Sequence, residues 1–266
     1  MEKPTVQGNV IFQANVARHQ GLPILMFHRV VEKIEPGPLY DINYTRENLD
    51  KLMAFLKGRG FETVTFGDLL SRPAPAKPIV LTFDDGYEDN YLNLLPLLKK
   101  HGMKAVIYLL GDRSVPSNVW DEDKGAPKAP LMGREQILEM AQSGLVEFGA
   151  HSMTHSKLTQ LDPAAVEREV KGCKTSLEGL LGEPVLSFAY PFGFFNEAVK
   201  KAVAEAGFLL GIAVEWGPDG FGRDLMETRR VCLSPDAGPL EFAWKTSPFY
   251  PAFRRLRRRL FSRKKT

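Results

Sequence analysis

A carboxylate pair and two histidines four residues apart are the side chains in this sequence best suited to chemistry. Asp84 and Asp85 stand together before Gly86, and His151-Ser-Met-Thr-His155 follows downstream. Two neutral imidazoles and one carboxylate suit a divalent ion such as zinc. Three protein ligands leave coordination positions open for water and substrate, the arrangement of catalytic rather than structural sites. The i, i+4 spacing of the histidines is helical and can bring both rings to one side. Neighbouring side chains on a strand face opposite ways, so one aspartate can bind metal while the other faces a substrate. The turn Tyr190-Pro191-Phe192-Gly193 adds a place where Gly193 lets backbone approach closely. The ordinary alternatives are a surface histidine pair and an Asp-Gly solvent turn. Context opposes both, because each group directly follows an apolar run.

These groups fall at corresponding places in a repeating pattern. Apolar, β-branched-rich runs predict buried strands over residues 22–27 (LPILMF), 78–83 (PIVLTF), 104–110, 145–150, 185–189, 209–214 and 230–233. Between them, helices are predicted over 45–57, 91–100, 134–142, 163–181 and 197–206. Thr45 and Asp162 are the expected N-caps, Pro163 sits at a first helical position, and Gly102 is a stop. Residues 111–130, rich in Pro, Asp and Gly, read as a long loop. Strands alternating with helices make this an α/β chain with a parallel sheet. The spacing fits a closed or nearly closed barrel and also an open doubly wound sheet. In both, sites form at the C-terminal strand ends. His28, Asp84-Asp85, His151 and Tyr190 each follow such an end and are expected on one rim.

The chain's 266 residues suit one large domain whose core needs no covalent staples. Cys173 and Cys232 make neither a CxxC pair nor a disulfide framework and are expected as buried thiols. The net charge of +3 is unevenly spread: residues 253–266 carry eight Lys or Arg and no acid, so the remainder is acidic. Within FRRLRRRLF, Phe253, Leu256, Leu260 and Phe261 share one helical side and five Arg the other. That pattern predicts peripheral contact of residues 253–266 with anionic lipid; a solvated basic tail is the alternative. Nucleic acid is not expected, since the acidic body offers no second basic patch. No apolar run is long enough to span a bilayer. Residues 1–20 lack a secretory signal pattern, which sets the expectation of a cytoplasmic protein, with peripheral contact on the inner membrane face.

The segments Thr82-Phe83-Asp84-Asp85-Gly86 and His151-Ser-Met-Thr-His155-Ser-Lys-Leu158, in this order and separation, resemble the NodB-homology polysaccharide deacetylases of carbohydrate esterase family 4. The likeness spans roughly residues 22–233. The opening Pro23-Ile-Leu-Met-Phe-His28 is similar to the branch that holds poly-N-acetylglucosamine deacetylases. The resemblance implies a distorted (β/α) barrel with fewer than eight complete units. That barrel is expected over residues 21–240, after an N-terminal extension (1–20) and before a basic tail (241–266). The resemblance also implies removal of an N-acetyl group from an amino sugar. Asp84 is then the general base, Asp85, His151 and His155 the metal ligands, and the Phe192 backbone N–H the oxyanion donor. The implied ion is Zn2+, although Co2+, Ni2+ or Fe2+ suit the same ligands. The implied partner is an N-acetylated glycan or a lipid-linked amino sugar.

The chain departs from the family pattern in two places. Ala189 stands where the third motif commonly carries an Arg that orients the base; Arg229 or Arg230 could supply the guanidinium from another direction. No histidine follows His155, where many members place a general acid. Of the remaining histidines, His19 precedes the barrel and His101 ends an outer helix. His28 is therefore the candidate for the leaving-group step, with a packed, hydrogen-bonded histidine as the alternative. Tyr87, Tyr190, Phe194, Phe195 and Trp216 lie near the expected rim, and Tyr87 and Trp216 are the favoured sugar-stacking rings. The competing functions are a deformylase or other amide C–N hydrolase on the same scaffold, and a non-catalytic glycan-binding module.

Overall fold

The computed structural model describes residues 6–34, 37, 42–214, 221–254 and 256. The chain enters through α1 (Val6–Arg18), then β1 (Ile24–Phe27), β2 (Arg29–Val31), β3 (Asn43–Thr45), α2 (Arg46–Gly58), β4 (Glu62–Thr63), α3 (Phe66–Ser71) and β5 (Pro78–Phe83). It continues with α4 (Leu95–His101), β6 (Ala105–Leu109), α5 (Arg134–Gln142), β7 (Val146–Ala150), α6 (Pro163–Glu167), α7 (Cys173–Leu181) and β8 (Ser187–Ala189). The last elements are α8 (Glu197–Glu205), β9 (Leu210–Ala213), β10 (Thr228–Arg229), β11 (Val231–Cys232) and α9 (Pro239–Lys245). Helix α9 crosses the domain boundary expected at residue 240.

The main sheet is parallel, in the order β10-β9-β8-β7-β6-β5-β1-β11, with β4 added beside β5. The ends of that path, β10 and β11, are separated by one residue, Arg230. Residues 228–229 pair with β9, and residues 231–232 pair with β1. One kinked segment thus joins both edges of the sheet. The result is a nearly closed barrel with fewer than eight full units, as the resemblance implied.

Burial on both faces explains the unbroken apolar runs. In β5, Ile79, Leu81 and Phe83 pack outward against α2 and α4, while Val80 shares the interior with Val106, Ala189 and Ile212. The expected caps are present: Thr45 Oγ1 accepts from the Asn48 N–H at 3.1 Å, Asp162 Oδ1 from the Ala165 N–H at 2.8 Å, and left-handed Gly102 ends α4. The helix predicted over 163–181 forms with a π-helical turn, Arg168–Gly172, between α6 and α7. Another π turn, Asn90–Leu94, precedes α4. Residues 111–130 are not all loop, since Val119–Lys124 forms a 3-10 helix. Cys173 is buried and Cys232 half-buried.

Helix α1 plugs the end of the barrel opposite the motif rim. Phe12 and Val16 pack with Phe66, Leu69, Ile24 and Val80. Asn15 fastens the plug: Nδ2 donates to the Leu69 and Arg72 carbonyls, and Oδ1 accepts from the Ala74 N–H. Near this end Glu147 shares the inward face of β7 with Gly149, its Oε2 accepting from the Gly67 N–H at 2.7 Å. Burial pushes the Glu147 carboxyl from its ordinary 4.5 up to about 7, against the lowering pull of Gly67 and Thr65. A raised carboxyl pKa means that the folded state holds the proton more tightly. Stability from this group is therefore full below pH 4.5 and declines as pH rises towards about 7. The decline amounts to at most about 3 kcal/mol. Glu147→Gln is expected to flatten that stretch of the urea-unfolding pH profile and to raise the midpoint at alkaline pH.

Candidate active site

Strand β5 ends beside β1, where the Asp84 N–H donates to the Phe27 carbonyl at 2.9 Å. The Asp84 carboxylate meets Arg230, the residue at the barrel seam: Nη1 to Oδ1 is 2.5 Å and Nη2 to Oδ2 is 2.7 Å. Arg230 is fully buried. Its other donors reach Thr82 Oγ1 at 3.1 Å and the Ala213 carbonyl at 3.3 Å, and its guanidinium lies 5.8 Å over the Tyr108 ring. Such a forked, charge-assisted pair fixes the carboxylate plane as well as its charge. Burial pushes the Asp84 carboxyl up, but the Arg230 charge and hydrogen bonds outweigh it and leave it below its ordinary value. Of the two arginines expected to replace the motif Arg, Arg230 orients Asp84. Arg229 instead pairs with Glu227 at 2.5 Å and lies over Phe195.

Asp85 turns away from its neighbour because its φ is +73°, not because of strand alternation. Gly86 follows at φ +72°, and a side chain there would strike Leu109. Asp85 Oδ1 lies 3.3 Å from both His151 Nε2 and His155 Nε2. Two donors each about 2.0–2.1 Å from one tetrahedral ion lie roughly 3.3 Å apart, so the spacing fits a shared cation. The tautomer agrees. His151 Nδ1 donates to the Ala189 carbonyl at 2.8 Å, which leaves the Nε2 lone pair facing a carboxylate oxygen. Asp85 Oδ1 is buried without a hydrogen-bond partner. Acceptors converging in this way are stable only around a cation or a proton. Burial lowers His155, keeping it a neutral donor. His151 is raised despite burial, by Asp85 and Asp84. A divalent ion competes with that proton for the same lone pairs.

The histidine segment is not helical, contrary to the i, i+4 reading. Ser152 (φ +63°) and His155 (φ +62°) are left-handed, and Ser152 Oγ accepts from the His155 N–H at 3.0 Å. The four non-glycine residues with positive φ among those described are Asp85, Ser152, His155 and Phe192, all lining or bracing one cleft. Strain concentrated in this way points to a functional site. Both π turns hold it in place. Glu169, in the Arg168–Gly172 turn, accepts from the Thr154 N–H and Oγ1, and its carbonyl accepts from the Met153 N–H. Asn90 and Asn93, in the other turn, donate to the His28 and Val30 carbonyls.

The cleft has a volume of about 110 Å³ and brings together His28, Asp84, Asp85, His151, His155 and Phe192. His28 Nε2 stands 3.8 Å from Asp84 Oδ2. Phe192 (φ +56°) lays its ring edge-on to His155, with centroids 4.4 Å apart. Gly193 has no room for a side chain, which would strike Val214. The stacking expectations need correction. Tyr87 is fully buried with Leu110, Ala129 and Leu131, and Tyr190 is buried with its hydroxyl donating to the Met226 carbonyl. Tyr87 therefore offers no face to a sugar, whereas Tyr190 lines the cleft with its ring stacked on Phe195 at 4.8 Å; Phe194 is the exposed ring at this edge. Trp216 lies outside the described residues. Composition concealed three further residues, because the loop reading of 111–130 masked them. Trp120 stacks on His155 at 4.3 Å, while buried Asp121 pairs with Lys124, which reaches over Phe192. A tryptophan inside a polar stretch was the available signal.

Metal binding and stability each give an expected outcome. Titration of the metal-free protein with Co2+ gives one equivalent bound. His151→Ala or His155→Ala weakens that binding beyond the roughly 10–100-fold loss typical of removing an outer partner. Removing one member of the buried ion pair, as in Arg230→Met, costs about 3–5 kcal/mol in urea unfolding, and Asp84→Leu with Arg230→Met recovers much of it.

Comparison with known proteins places the whole chain. A family model for polysaccharide deacetylases matches residues 71–211, just over half of the chain. YxkH of Bacillus subtilis, provisionally named a polysaccharide deacetylase, is 30% identical over 219 residues, covering 80% of this chain and 72% of that protein. The poly-beta-1,6-N-acetyl-D-glucosamine N-deacetylase of Escherichia coli is 26% identical over 142 residues, 50% of this chain but 21% of that protein. The crystal structure of a polysaccharide deacetylase from Bacillus cereus superposes with a TM-score of 0.71 at 26% identity, covering 85% of this chain and 69% of that one. The chain belongs to the polysaccharide deacetylase family, hydrolases that act on amide bonds.

Proposed function

We propose that this protein hydrolyses the N-acetyl group of an amino sugar within a glycan. The observation that carries the reading is the clamped Asp84 carboxylate standing beside a three-ligand cluster, Asp85, His151 and His155, in one cleft. Asp85, His151 and His155 would hold a divalent ion, which would supply Lewis acidity for the acyl carbonyl and for a water near neutral pH. Asp84 accepts the proton of the attacking water. Arg230 occupies one lone pair of each Asp84 oxygen, and each oxygen keeps another. Arg230 also keeps the carboxylate ionised, so the proton passes on rather than resting there. The Phe192 N–H, aimed by its left-handed turn, donates to the oxygen on which charge develops. His28, 3.8 Å from Asp84, returns a proton to the departing amine. C–N cleavage then releases acetate and leaves a free amino sugar.

The names of the relatives support an N-acetylglucosamine polymer as substrate. A cleft of about 110 Å³ is sized for an acetamido group rather than a whole sugar, and the exposed Phe194 ring stands 6.3 Å from Phe192 at its edge. Deformylation is the competing chemistry and predicts formate as product. Acetate release from N-acetylated β-1,6-glucosamine oligomers, with formate assayed in parallel, tests the reading; formate alone would overturn it. Asp84→Asn is expected to lower kcat by about 10²–10⁴-fold with the ion still bound. His28→Ala should lower kcat about 10²-fold at nearly constant KM. Near-normal turnover would remove His28 from the mechanism.

A further inference from the structure

A second cleft, about 710 Å³ in volume, lies at the other end of the barrel. It opens where β1 and β5 begin, lined by Leu22, Pro23 and Pro78. Four cations line it, Arg18, Arg59, Lys77 and Arg223, and no carboxylate does so among the described lining residues. The sequence reading found no second basic patch because these residues come from four separate segments. Between the cations the wall is apolar, from Phe55, Phe61, Phe221 and four prolines. The combination suits an anionic head group attached to hydrocarbon.

One wall of the cleft runs from Ala243 to Pro251, and its outer surface is unusually apolar for exposed protein. Leu240 is 88% exposed and Phe249 71%, with Trp244, Phe253 and Leu256 exposed beside them. Leu240 and Trp244 share a face of α9, and the Trp244 ring packs 5.2 Å from Phe253. The chain then runs into the basic residues at 254–265. Leu260 and Phe261, expected on the same apolar side, lie outside the described residues. Among the described residues, no helix is long and apolar enough to cross a membrane.

We propose that this end of the barrel docks on an anionic lipid bilayer, with a phosphate head group in the cleft lined by Arg18, Arg59, Lys77 and Arg223. Trp244, Phe249 and Phe253 insert at the interface, where amphipathic aromatics are stable. The basic tail adds attraction to the charged surface. Pro78 and Asp84 bracket the same strand, so the active-site rim faces away from the bilayer, about 20 Å above the docking end. That orientation suits a polymer strand reaching in from the aqueous phase rather than an amino sugar whose lipid anchor lies in the same membrane.

Co-sedimentation of the full chain with vesicles tests the proposal. Binding is expected to phosphatidylcholine mixed with phosphatidylglycerol, not to phosphatidylcholine alone, and to weaken as salt rises. The variant Arg18→Gln/Arg59→Gln/Lys77→Gln should bind on the order of 100-fold more weakly, with unchanged turnover of a soluble acetylated oligomer. Trp244 emission should shift to the blue on binding and be quenched by brominated lipid, and Trp244→Phe should lose both signals. Three results would overturn the proposal: triple-variant binding equal to the parent, meaning that the tail alone suffices; binding of soluble polyphosphate but not of vesicles; or vesicle binding without Trp244 quenching. None of these readouts depends on hydrolysis, so the docking surface and the deacetylase reading stand or fall separately.

Discussion

The site depends on one buried ion pair placed at the seam of the barrel. Arg230 interrupts the segment that pairs with β9 on one side and β1 on the other, and its guanidinium fills the interior where the sheet edges meet. A fully buried cation there is tolerable only because Asp84 neutralises it through two hydrogen bonds and Tyr108, Thr82 and the Ala213 carbonyl surround the rest. Ring closure and the orientation of the Asp84 carboxylate are consequently one structural fact. The motif position now held by Ala189 can be small because the guanidinium arrives from the seam. The Ala189 carbonyl instead sets the tautomer of His151.

Around that pair the backbone adopts conformations that ordinary residues avoid. Asp85, Ser152, His155 and Phe192 all have positive φ, a cost that the surrounding bonds must outweigh. The outcome is a carboxylate oxygen facing two imidazole nitrogens at equal distance. The two π turns are part of this arrangement. Each widens a helix where a side chain, Glu169 or Asn90, must reach a site loop. The helices predicted from sequence were continuous, and their π turns became visible only through the loops they brace.

The two ends of the barrel are chemically opposite. The motif rim gathers carboxylates and imidazoles in a small cleft, with Lys124 tied to Asp121. The plugged end gathers cations and apolar surface in a large one. A mildly acidic body with a basic tail, as composition describes it, hides this polarity, because charges far apart in sequence meet only in the folded chain.

Much of the architecture was legible in the residues themselves. Strand runs buried on both faces, caps at Thr45 and Asp162, the stop at Gly102 and the chemistry-bearing residues at strand ends follow from local patterning, which periodicity and turn chemistry record faithfully. The donor types in Asp85, His151 and His155 likewise belong to the sequence. Tertiary structure alone decided how they are aimed. It made His151-to-His155 a strained turn instead of a helix, buried Tyr87 and Tyr190, chose Arg230 over Arg229, and brought Trp120 onto His155. The reason is that side-chain direction at a strand end depends on left-handed backbone and on contacts between residues more than a hundred positions apart, and no local pattern encodes either.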